Sequence, residues 1–374
     1  MSARVIKIES ASDQAEQIRN AAAALRDGAV VVFPTETVYG VAISAAYVGG
    51  VERLRSVKGR PEEQPFTVHI GRRKDWQQFV PAPTGMAQRF VKKGWPGPLT
   101  LVFPVSDPRA AAVHTSLSKS AADSIYSKGS VGIRYPDHPV AEALLAAAEV
   151  PVIASSANIA GQPAPTDSDS LGEEMTARVD IILNGGATRY QKGSTIVALD
   201  GEGYRILRTG VWDERIIRKL ATLNILFVCT GNTCRSPMAE GLAKLMIAER
   251  LGCGADDLAA RGIIIRSAGT SGYGRGGAAP EAVELLAQRG FDLSDHVPRP
   301  VTLELIHTSD YIYTMSRQHA EAVRSMAPAE SSKIARLLPD EDIADPLGGT
   351  LHDYEVAAAK IEQALRQRIQ EVPL

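Results

Sequence analysis

The chain has 374 residues, of which 44% are hydrophobic and 22% charged, and its formal net charge is -2. This length predicts two domains, and the balanced charge excludes a uniformly basic nucleic-acid coat. Three cysteines argue against a disulfide framework and favour a reducing compartment. The N-terminus has no apolar signal-peptide core, and no apolar run is long enough to cross a membrane. We therefore expect a cytoplasmic protein with no membrane partner.

The first half of the chain alternates strand and helix patterns irregularly, which predicts a mixed sheet with helices packed on it. The segment 106–129 is small and polar, and we expect it to be a long surface excursion. Helical spacing covers 12–27, 48–57 and 83–93; apolar runs predict strands at 29–33, 38–43, 66–70, 99–104, 131–134, 150–154, 180–183, 194–199 and 204–208.

The second half shows a stricter strand–helix alternation. Predicted strands lie at 224–228, 263–266, 311–315 and 334–337, and a final helix covers 351–370. This pattern is typical of a small doubly wound parallel sheet with four strands. We expect an N-terminal domain at 1–212, a linker at 213–222 and a C-terminal domain at 223–374.

Several polar groups in the first half follow predicted strands, where open α/β sheets build ligand crevices. Lys58 and Arg60, with further basic residues nearby, suit a polyphosphate, but the chain lacks the P-loop nucleotide motif. Taken singly, Lys58 and Arg60 also fit a solvated face. Ser156 and Asn158 also fit turn and cap residues, and His69 a structural histidine.

In combination, seven motifs resemble the YrdC-type L-threonylcarbamoyladenylate synthase family over about 6–210. They lie at 34–40, 58–60, 95–100, 132–138, 156–158, 193–197 and 207–210. The resemblance implies a YrdC-like mixed twisted sheet with helices. It also implies a reaction of L-threonine, bicarbonate or CO2, and ATP with Mg2+, giving threonylcarbamoyl-AMP and pyrophosphate. Downstream partners would be t6A transferase proteins and the tRNA that receives the t6A37 modification.

The same resemblance assigns roles to individual residues. Lys58, Arg60, Ser156, Asn158, Ser194 and Arg208 would bind ATP and its phosphates. Thr35, Tyr39, His69 and Arg134 would surround threonine and the carbamate. No protein side chain is expected to hold a metal. The segments 41–44 and 106–129 depart from the family pattern, which affects the expected loop geometry.

A second constellation begins at Cys229, directly after an apolar strand pattern. Cys229 and Arg235 are separated by five residues, and Ser236 then opens a helical stretch. Loop N–H groups, the helix dipole and Arg235 favour an anion here, so Cys229 can act as a nucleophilic thiolate. Asn232 can hold the left-handed turns of the loop, and Ser236 can stabilise the thiolate.

Other readings of these residues remain open. Cys229 also fits a buried cysteine at a strand end, and Asp345-Pro346 an ordinary turn. A metal pair of Cys229 and Cys234 is disfavoured because the spacing is unusual and no other Cys/His cluster accompanies it. Cys234 instead fits a partner that traps oxidised Cys229 in a reversible disulfide.

The segment 223–370 resembles the low-molecular-weight protein tyrosine phosphatase family, on its motifs at 229–237, 267–270, 295–299, 310–319 and 345–346. The resemblance implies the four-stranded doubly wound fold of that family, with no cofactor. It makes Cys229 the nucleophile, Arg235 the phosphate binder and Asp345 the general acid. The supporting loop residues would be Thr230, Gly231, Asn232, Thr233, Cys234 and Ser236.

Two positions differ from the tyrosine-specific members. Thr233 replaces a bulky aliphatic residue, and Leu347-Gly348 replaces aromatic residues after Asp345-Pro346. Without aromatic walls a phenyl ring gains little stacking, whereas Thr233 and Asp345 could hydrogen-bond a guanidinium. The segments 229–236 and 345–349 resemble the bacterial protein arginine phosphatase branch. We therefore expect phosphoarginine in phosphorylated proteins to be favoured over phosphotyrosine. Arsenate reductase of this fold is a weaker third choice, because the chain lacks the additional C-terminal resolving cysteine of that group.

The two resemblances together predict a bifunctional fusion enzyme. One alternative is a double-stranded RNA-binding N-terminal module fused to a protein tyrosine phosphatase. Another is that only the phosphatase site is active. The basic pair Lys58 and Arg60, with Ser156 and Asn158, argues against both alternatives, because an RNA surface does not need that set.

Overall fold

The computed structural model describes residues 3–12, 14–60, 64–201, 203–272 and 276–374. The chain forms two compact units, Met1–Leu220 and Ala221–Leu374. The segment 213–222, where we expected a linker, contains helix α7 (Glu214–Ala221).

Within the described residues, the first unit contains ten strands in one sheet. Their order is β1-β8-β2-β3-β7-β4-β6-β5-β9-β10, with both parallel and antiparallel neighbours. The strands are β1 (Arg4–Lys7), β2 (Val31–Phe33), β3 (Gly40–Ser44), β4 (Thr67–His69), β5 (Leu99–Pro104), β6 (Ser130–Arg134), β7 (Val152–Ser156), β8 (Ile181–Asn184), β9 (Thr195–Leu199) and β10 (Tyr204–Arg208).

Helices of the first unit pack on this sheet through small and aliphatic side chains. Helix α1 buries Ile18, Ala21, Ala22 and Leu25, whose spacing places them on one face. This face and α5 share one hydrophobic core with β2, β3, β7 and β8. The helices are α1 (Ala15–Arg26), α2 (Gly50–Lys58), α3 (Gly85–Gly94), α4 (Lys119–Ile125), α5 (Pro139–Ala148) and α6 (Glu173–Arg178).

The expectation of a surface excursion at 106–129 is wrong in part. Helix α4 lies within this segment and buries Ala121 and Ile125, and Val113 is buried before it. Ser118 caps α4 by accepting a hydrogen bond from the Ala121 N–H. The segment therefore contributes to the core. Its apolar residues are few, but Ala121 and Ile125 lie on one side of a short helix.

The second unit contains a four-stranded parallel sheet in the order β12-β11-β13-β14. Its strands are β11 (Leu223–Cys229), β12 (Ile263–Gly269), β13 (Tyr311–Thr314) and β14 (Ile334–Arg336). Its helices are α8 (Arg235–Leu251), α9 (Pro280–Ala287), α10 (Leu303–Thr308), α11 (Arg317–Met326) and α12 (Leu351–Arg368).

Alternate residues of β11 face opposite layers of helices. Ile225 and Phe227 pack in a core with α8, α9 and α12, whereas Leu226 and Val228 pack in another with α10 and α11. Both faces of the sheet are therefore covered, as a doubly wound fold requires. The predicted fold classes of both units, a mixed sheet with helices and a four-stranded parallel sheet, are confirmed.

Candidate functional site

The first unit contains a cavity of about 400 Å³ beside the central strands. All the residues that we expected to bind ATP or threonine line it except Thr35, which lies beneath Arg134. None of the lining residues that the structure describes is acidic. Four of them carry a basic side chain: Lys58, Arg60, Arg134 and Arg208.

One row of directly paired residues forms the floor of the cavity. His69 pairs with Arg134, Arg134 with Thr100, and Thr100 with Ile196 across four neighbouring strands. Directly opposite residues share one face of a sheet, so their side chains meet although they are far apart in sequence. The sequence analysis did not identify Thr100 or Ile196 as site residues, although Thr100 ends the motif at 95–100.

Lys58 is the last residue of α2, and it is buried. Its ammonium donates to the backbone oxygens of Ser156 and Asn158 and, at 3.3 Å, to Asn158 Oδ1. Burial, together with the neighbouring Arg60, lowers the pKa of Lys58 to about 8. Lys58 thus joins the end of α2 to the loop after β7, and its positive charge is costly until an anion accompanies it.

Arg134 forms a buried ion pair with Glu36, with 3.1 Å between Nη2 and Oε1. The same guanidinium nitrogen contacts the hydroxyls of Thr35 (3.3 Å) and Thr37. Glu36 Oε2 also accepts the Asp137 N–H at 3.2 Å. Sequence reasoning missed Glu36 as a site residue. It lies within the quoted motif at 34–40, but its partner Arg134 lies about a hundred residues away.

Two predicted threonine-binding side chains are held by the backbone. The Tyr39 hydroxyl donates to Gly186 O at 2.8 Å and accepts the Gly185 N–H at 3.1 Å. Burial raises the pKa of Tyr39. His69 Nδ1 donates to Thr67 O at 3.2 Å, while burial and Arg134 lower the pKa of His69 to about 3. His69 is therefore neutral, and its Nε2 carries the lone pair.

Ser194 connects the cavity floor to β10. Its Oγ lies 2.9 Å from Thr100 Oγ1 and 3.3 Å from Arg208 Nη2. Arg208 also donates to Ser194 O from Nε and Nη2, at 3.2 and 2.9 Å. Burial and the charge of Arg134 lower the pKa of Arg208. The Arg208 guanidinium is thus fixed in direction before any ligand enters.

The second unit places Cys229 at the carboxyl end of β11, with α8 starting at Arg235. Cys229 is 2% exposed, and its Sγ lies 2.9 Å from Ser236 Oγ. The Asn232 N–H donates to Sγ at 3.3 Å. The other N–H groups of the loop, at 230, 231 and 233–236, have no acceptor among the described residues. One N–H donor at the sulfur and further unbonded N–H groups in the same loop suit it to bind an oxyanion.

The Asn232 side chain holds this loop together from inside. Asn232 has φ of 57°, a left-handed conformation that asparagine tolerates, and it is fully buried. Its Nδ2 donates to Ser236 Oγ (3.0 Å) and Ser267 Oγ (2.9 Å), and Oδ1 accepts the Arg299 N–H (2.9 Å). His296 Nε2 donates to the Asn232 carbonyl at 2.8 Å. These bonds join Asn232 to three other segments of the second unit, and its role in the loop stays a prediction.

Arg235 reaches from the start of α8 to the loop that contains Asp345. Its Nη1 donates to Ile343 O at 3.0 Å, and its Nη2 donates to Asp345 Oδ2. The Arg235 side chain is 7% exposed and that of Asp345 43%. A buried guanidinium beside the thiol and a carboxylate at the rim can serve phosphate binding and proton transfer respectively.

His319 supports the loop from α11. Its Nε2 lies 2.8 Å from Thr230 Oγ1, and its Nδ1 lies 2.9 Å from Ser316 Oγ. Burial and the charge of Arg235 lower the pKa of His319 to about 4, so the imidazole is neutral at pH 7. The motif at 310–319 includes this residue, but spacing alone did not reveal its contact with Thr230.

Thr233 and Cys234 lie on the other side of the loop. Thr233 Oγ1 is 3.4 Å from Cys234 Sγ, which is 3.3 Å from the hydroxyl of Tyr354. Burial raises the pKa of the Cys234 thiol. The reversible disulfide between Cys229 and Cys234 stays a prediction.

The described residues contain no group of three or more His, Cys, Asp or Glu side chains placed to hold a metal ion. No helix in the described part of the chain is both long and apolar enough to span a membrane.

Comparisons with known proteins place both sites in families. Residues 23–210 match the Sua5/YciO/YrdC family, described as "Telomere recombination". Residues 224–373 match the family described as "Low molecular weight phosphotyrosine protein phosphatase".

Curated relatives cover the two halves separately. A "Threonylcarbamoyl-AMP synthase" of Pyrococcus abyssi is 34% identical over 227 residues, which are 60% of this chain and 64% of the relative. The chain thus spans less than two thirds of that relative. A "Protein-arginine-phosphatase" of Bacillus subtilis is 38% identical over 150 residues, which are 39% of this chain and 93% of the relative.

A solved structure agrees with the fold. "Crystal structure of P. abyssi Sua5 complexed with L-threonine" has a TM-score of 0.52 and 24% identity, covering 72% of this chain and 92% of that one. At this identity the likeness concerns the fold alone. The chain belongs to the Sua5/YciO/YrdC family and carries, after that domain, a low-molecular-weight phosphotyrosine protein phosphatase domain.

Proposed function

We propose that the chain is a bifunctional enzyme with one reaction in each domain, at 1–212 and 223–374, joined by 213–222. The N-terminal domain forms threonylcarbamoyl-AMP for the t6A37 modification of tRNA. The C-terminal domain removes phosphoryl groups from protein side chains, with phosphoarginine preferred over phosphotyrosine. The named relatives of each half support this proposal.

The observation that carries the synthase activity is the concentration of positive charge in a cavity of about 400 Å³. Four basic side chains converge there, and the described lining residues include no carboxylate. Such a cavity favours a polyphosphate, and Lys58 with Arg60 at the end of α2 would hold the phosphates of ATP. Ser194 and Arg208 would hold the nucleotide from the opposite strands.

The chemistry joins three substrates. The amine of L-threonine attacks CO2, a C=O π bond opens to an oxyanion, and the nitrogen loses a proton to solvent, which gives a carbamate. A carbamate oxygen then attacks the α-phosphorus of ATP. The bond from the α-phosphorus to the bridging oxygen breaks, and pyrophosphate leaves. The protein positions the groups and neutralises charge, with Arg134 and neutral His69 beside the carbamate.

Mg2+ accompanies ATP in this proposal and neutralises phosphate charge. Carboxylate and carbonyl oxygens are the usual protein ligands of Mg2+, and the described lining residues offer no carboxylate. Mg2+ would therefore be held by the phosphates of ATP rather than by a protein cage.

Pyrophosphate release from ATP tests the synthase. It should require both L-threonine and bicarbonate, and it should be lost in Lys58→Ala with Arg60→Ala. Release that ignores threonine, or that survives the double substitution, contradicts the proposal. Binding of double-stranded RNA without any pyrophosphate release would favour the alternative of an RNA-binding module.

The observation that carries the phosphatase activity is that Cys229 Sγ accepts the Asn232 N–H in the loop that leads to Arg235, whose guanidinium pairs with Asp345. The thiolate attacks phosphorus, the bond to the leaving nitrogen or oxygen breaks, and Asp345 gives that atom a proton. Water then attacks the cysteinyl phosphate, Asp345 takes its proton, and phosphate leaves. No cofactor takes part in these steps.

The preference for phosphoarginine rests on the walls of the site. Leu347 follows Asp345-Pro346 at the rim and is 68% exposed, so it offers no aromatic face to a phenyl ring. Thr233 supplies a hydroxyl, and the carboxyl group of Asp345 keeps an acceptor oxygen even when protonated, so both can accept hydrogen bonds from a guanidinium. The name of the B. subtilis relative agrees with this preference.

Peptides that carry either phosphoarginine or phosphotyrosine in one sequence context test the preference. We expect a higher kcat/KM for phosphoarginine, and loss of both activities in Cys229→Ser. A higher kcat/KM for phosphotyrosine would contradict the assignment of Thr233 while leaving the phosphatase activity intact. We further propose a cytoplasmic location, where ATP, tRNA, the t6A transferase proteins and phosphorylated proteins are available.

A further inference from the structure

A groove of about 440 Å³ lies in the second unit, outside the Cys229 loop. Its lining includes Arg317 and Arg324 of α11, Arg336 of β14 and Arg368 of α12, with Glu321 as the only acidic residue among the described lining residues. We call it the arginine groove. Arg336 and Arg368 already pair with Asp342 (3.2 Å) and Glu371 (3.0 Å). Arg317 and Arg324 form no ion pair among the described residues, so they carry the positive charge that an anion in the groove would accompany.

The arginine groove runs along the free edge of β14, the last strand of the four-stranded sheet. Ala335 O and the Leu337 N–H point to β13, so the carbonyls of Ile334 and Arg336 point outward. Arg324 Nη2 covers Ile334 O at 2.8 Å, and Arg368 Nη2 covers Arg336 O at 2.7 Å. A partner therefore cannot add as a strand at this edge, and it must be recognised through charge.

In two of the guanidinium groups, most N–H donors form no hydrogen bond with the described residues. Arg324 uses only Nη2, and the Arg317 guanidinium has no hydrogen-bond acceptor in the part of the chain that the structure describes. Both residues are exposed and stand seven residues apart, on one face of α11. At about 1.5 Å per residue their Cα atoms are about 10 Å apart along the helix axis.

Two consecutive residues, Asp342 and Ile343, connect the arginine groove to the phosphatase loop. Asp342 Oδ1 accepts from Arg336 Nη1 at 3.2 Å and from the Arg317 N–H at 2.9 Å. The next residue, Ile343, accepts from Arg235 Nη1 at 3.0 Å. Neighbouring residues are about 3.8 Å apart, so a segment bound in the arginine groove is only a few residues from the phosphate site.

We propose that the arginine groove binds an extended acidic segment of the phosphorylated protein substrate. An extended chain rises about 3.3 Å per residue, so acidic side chains about three residues apart match Arg317 and Arg324. The inference rests on the proposed phosphatase function and adds a class of substrate to it: phosphoproteins with acidic residues close to the phosphorylated position.

The test compares two substrate peptides and one small substrate with the full chain. The peptides carry the same phosphorylated residue and either two glutamates, three residues apart, or two glutamines; the small substrate is p-nitrophenyl phosphate. In Arg317→Glu with Arg324→Glu, kcat/KM for the glutamate peptide should fall roughly five- to tenfold, since two exposed ion pairs are lost. Hydrolysis of p-nitrophenyl phosphate and of the glutamine peptide should stay unchanged.

Arg266→Glu is the matched control, because Arg266 is exposed on β12 at the opposite edge of the same sheet. Equal losses in this control, or no loss in the double variant, would overturn the proposal. Fluorescence anisotropy measures binding of the unphosphorylated glutamate peptide and so separates docking from catalysis. Docking that is lost in the double variant supports the groove even if the peptide is not hydrolysed. Binding of RNA that is lost in the double variant, with no binding of the glutamate peptide to the parent protein, would assign the groove to nucleic acid instead.

Discussion

Arg235 and Asp345 form an ion pair across the mouth of the Cys229 loop, with Nη2 donating to Oδ2. The pair joins the residue expected to bind phosphate to the residue expected to supply the proton. A phosphoryl group in the loop would compete with Asp345 for Arg235, which would release the carboxyl group toward the leaving atom.

The role of Asp345 can be tested with Asp345→Asn. We expect kcat for a phosphorylated peptide to fall by about 10²–10⁴-fold, because the amide cannot supply the proton. The loss should be smaller for p-nitrophenyl phosphate, whose leaving group needs little protonation. Asp340→Asn, at an exposed carboxylate five residues earlier, is the control and should have no effect. An equal loss on both substrates would argue against general-acid catalysis by Asp345.

Asn232 combines a left-handed backbone with a buried amide network. Asn232→Gly should keep the backbone and lose the network, whereas Asn232→Ala should lose both and cost roughly a further 1–2 kcal/mol of stability. Phosphatase kcat/KM should fall in both variants, and thermal unfolding should separate them. Full activity in Asn232→Gly would show that the amide network is unnecessary.

The lowered pKa of Lys58 predicts an upper pH limit for the synthase activity. Burial beside Arg60 lowers its pKa to about 8, so the ammonium is lost as the pH rises through that value. We expect kcat/KM for ATP to fall about tenfold per pH unit above this point, measured as pyrophosphate release from pH 6.5 to 9.5. Lys58→Arg should move the limit upward, whereas Lys74→Arg, at an exposed lysine, should not. An unchanged limit in Lys58→Arg would assign it to another group.

His319 predicts acid sensitivity of the second unit. The unfolded imidazole has a pKa of about 6.5, whereas burial lowers that of the folded one to about 4. Between these values the unfolded chain binds more protons, so the free energy of unfolding decreases as the pH falls. The loss should reach up to about 3 kcal/mol and should stop below pH 4.

Thermal unfolding of His319→Gln between pH 7 and 4 measures this contribution. The variant should show a weaker dependence on pH than the parent protein. His352→Gln changes an imidazole that is 80% exposed and should preserve the parental slope. The attribution fails if both variants behave alike.

Glu36 and Arg134 provide a comparison of buried and exposed ion pairs. Glu36→Gln leaves the Arg134 charge buried without a counter-ion, and we expect a loss of about 3 kcal/mol in unfolding free energy. Asp137→Asn breaks the exposed pair with Arg189, whose side chains are 42% and 59% exposed, and should cost less than about 1 kcal/mol. Denaturant unfolding of the two variants would show comparable losses if burial of the first pair were unimportant.

Local patterns predicted much of the secondary structure. The strict alternation after residue 223 predicted the four parallel strands, because buried parallel strands are continuous apolar runs. The order of the ten-stranded sheet could not be predicted in this way. Strand β8 lies between β1 and β2, although about 150 residues separate β8 from β2 and about 175 separate it from β1.

Sequence reasoning predicted more of the phosphatase loop than of the synthase cavity. Cys229, Asn232 and Arg235 lie within seven residues, so their spacing in the chain already placed them in one loop. The cavity floor joins His69, Arg134 and Thr100 through strand register, and register depends on long-range packing. Thr100 was missed for that reason, and Glu36 was missed because its partner Arg134 lies about a hundred residues away in the chain.

The sequence by itself predicted the two folds and the loop around Cys229, because these depend on short-range periodicity and spacing, and its motifs carried the resemblance to two families. Only the tertiary structure decided which charges meet. It paired Arg134 with Glu36, enclosed Lys58 between α2 and the end of β7, and lined the free edge of β14 with arginines. Electrostatic interactions depend on distance in space and on burial, and neither can be read from positions along the chain.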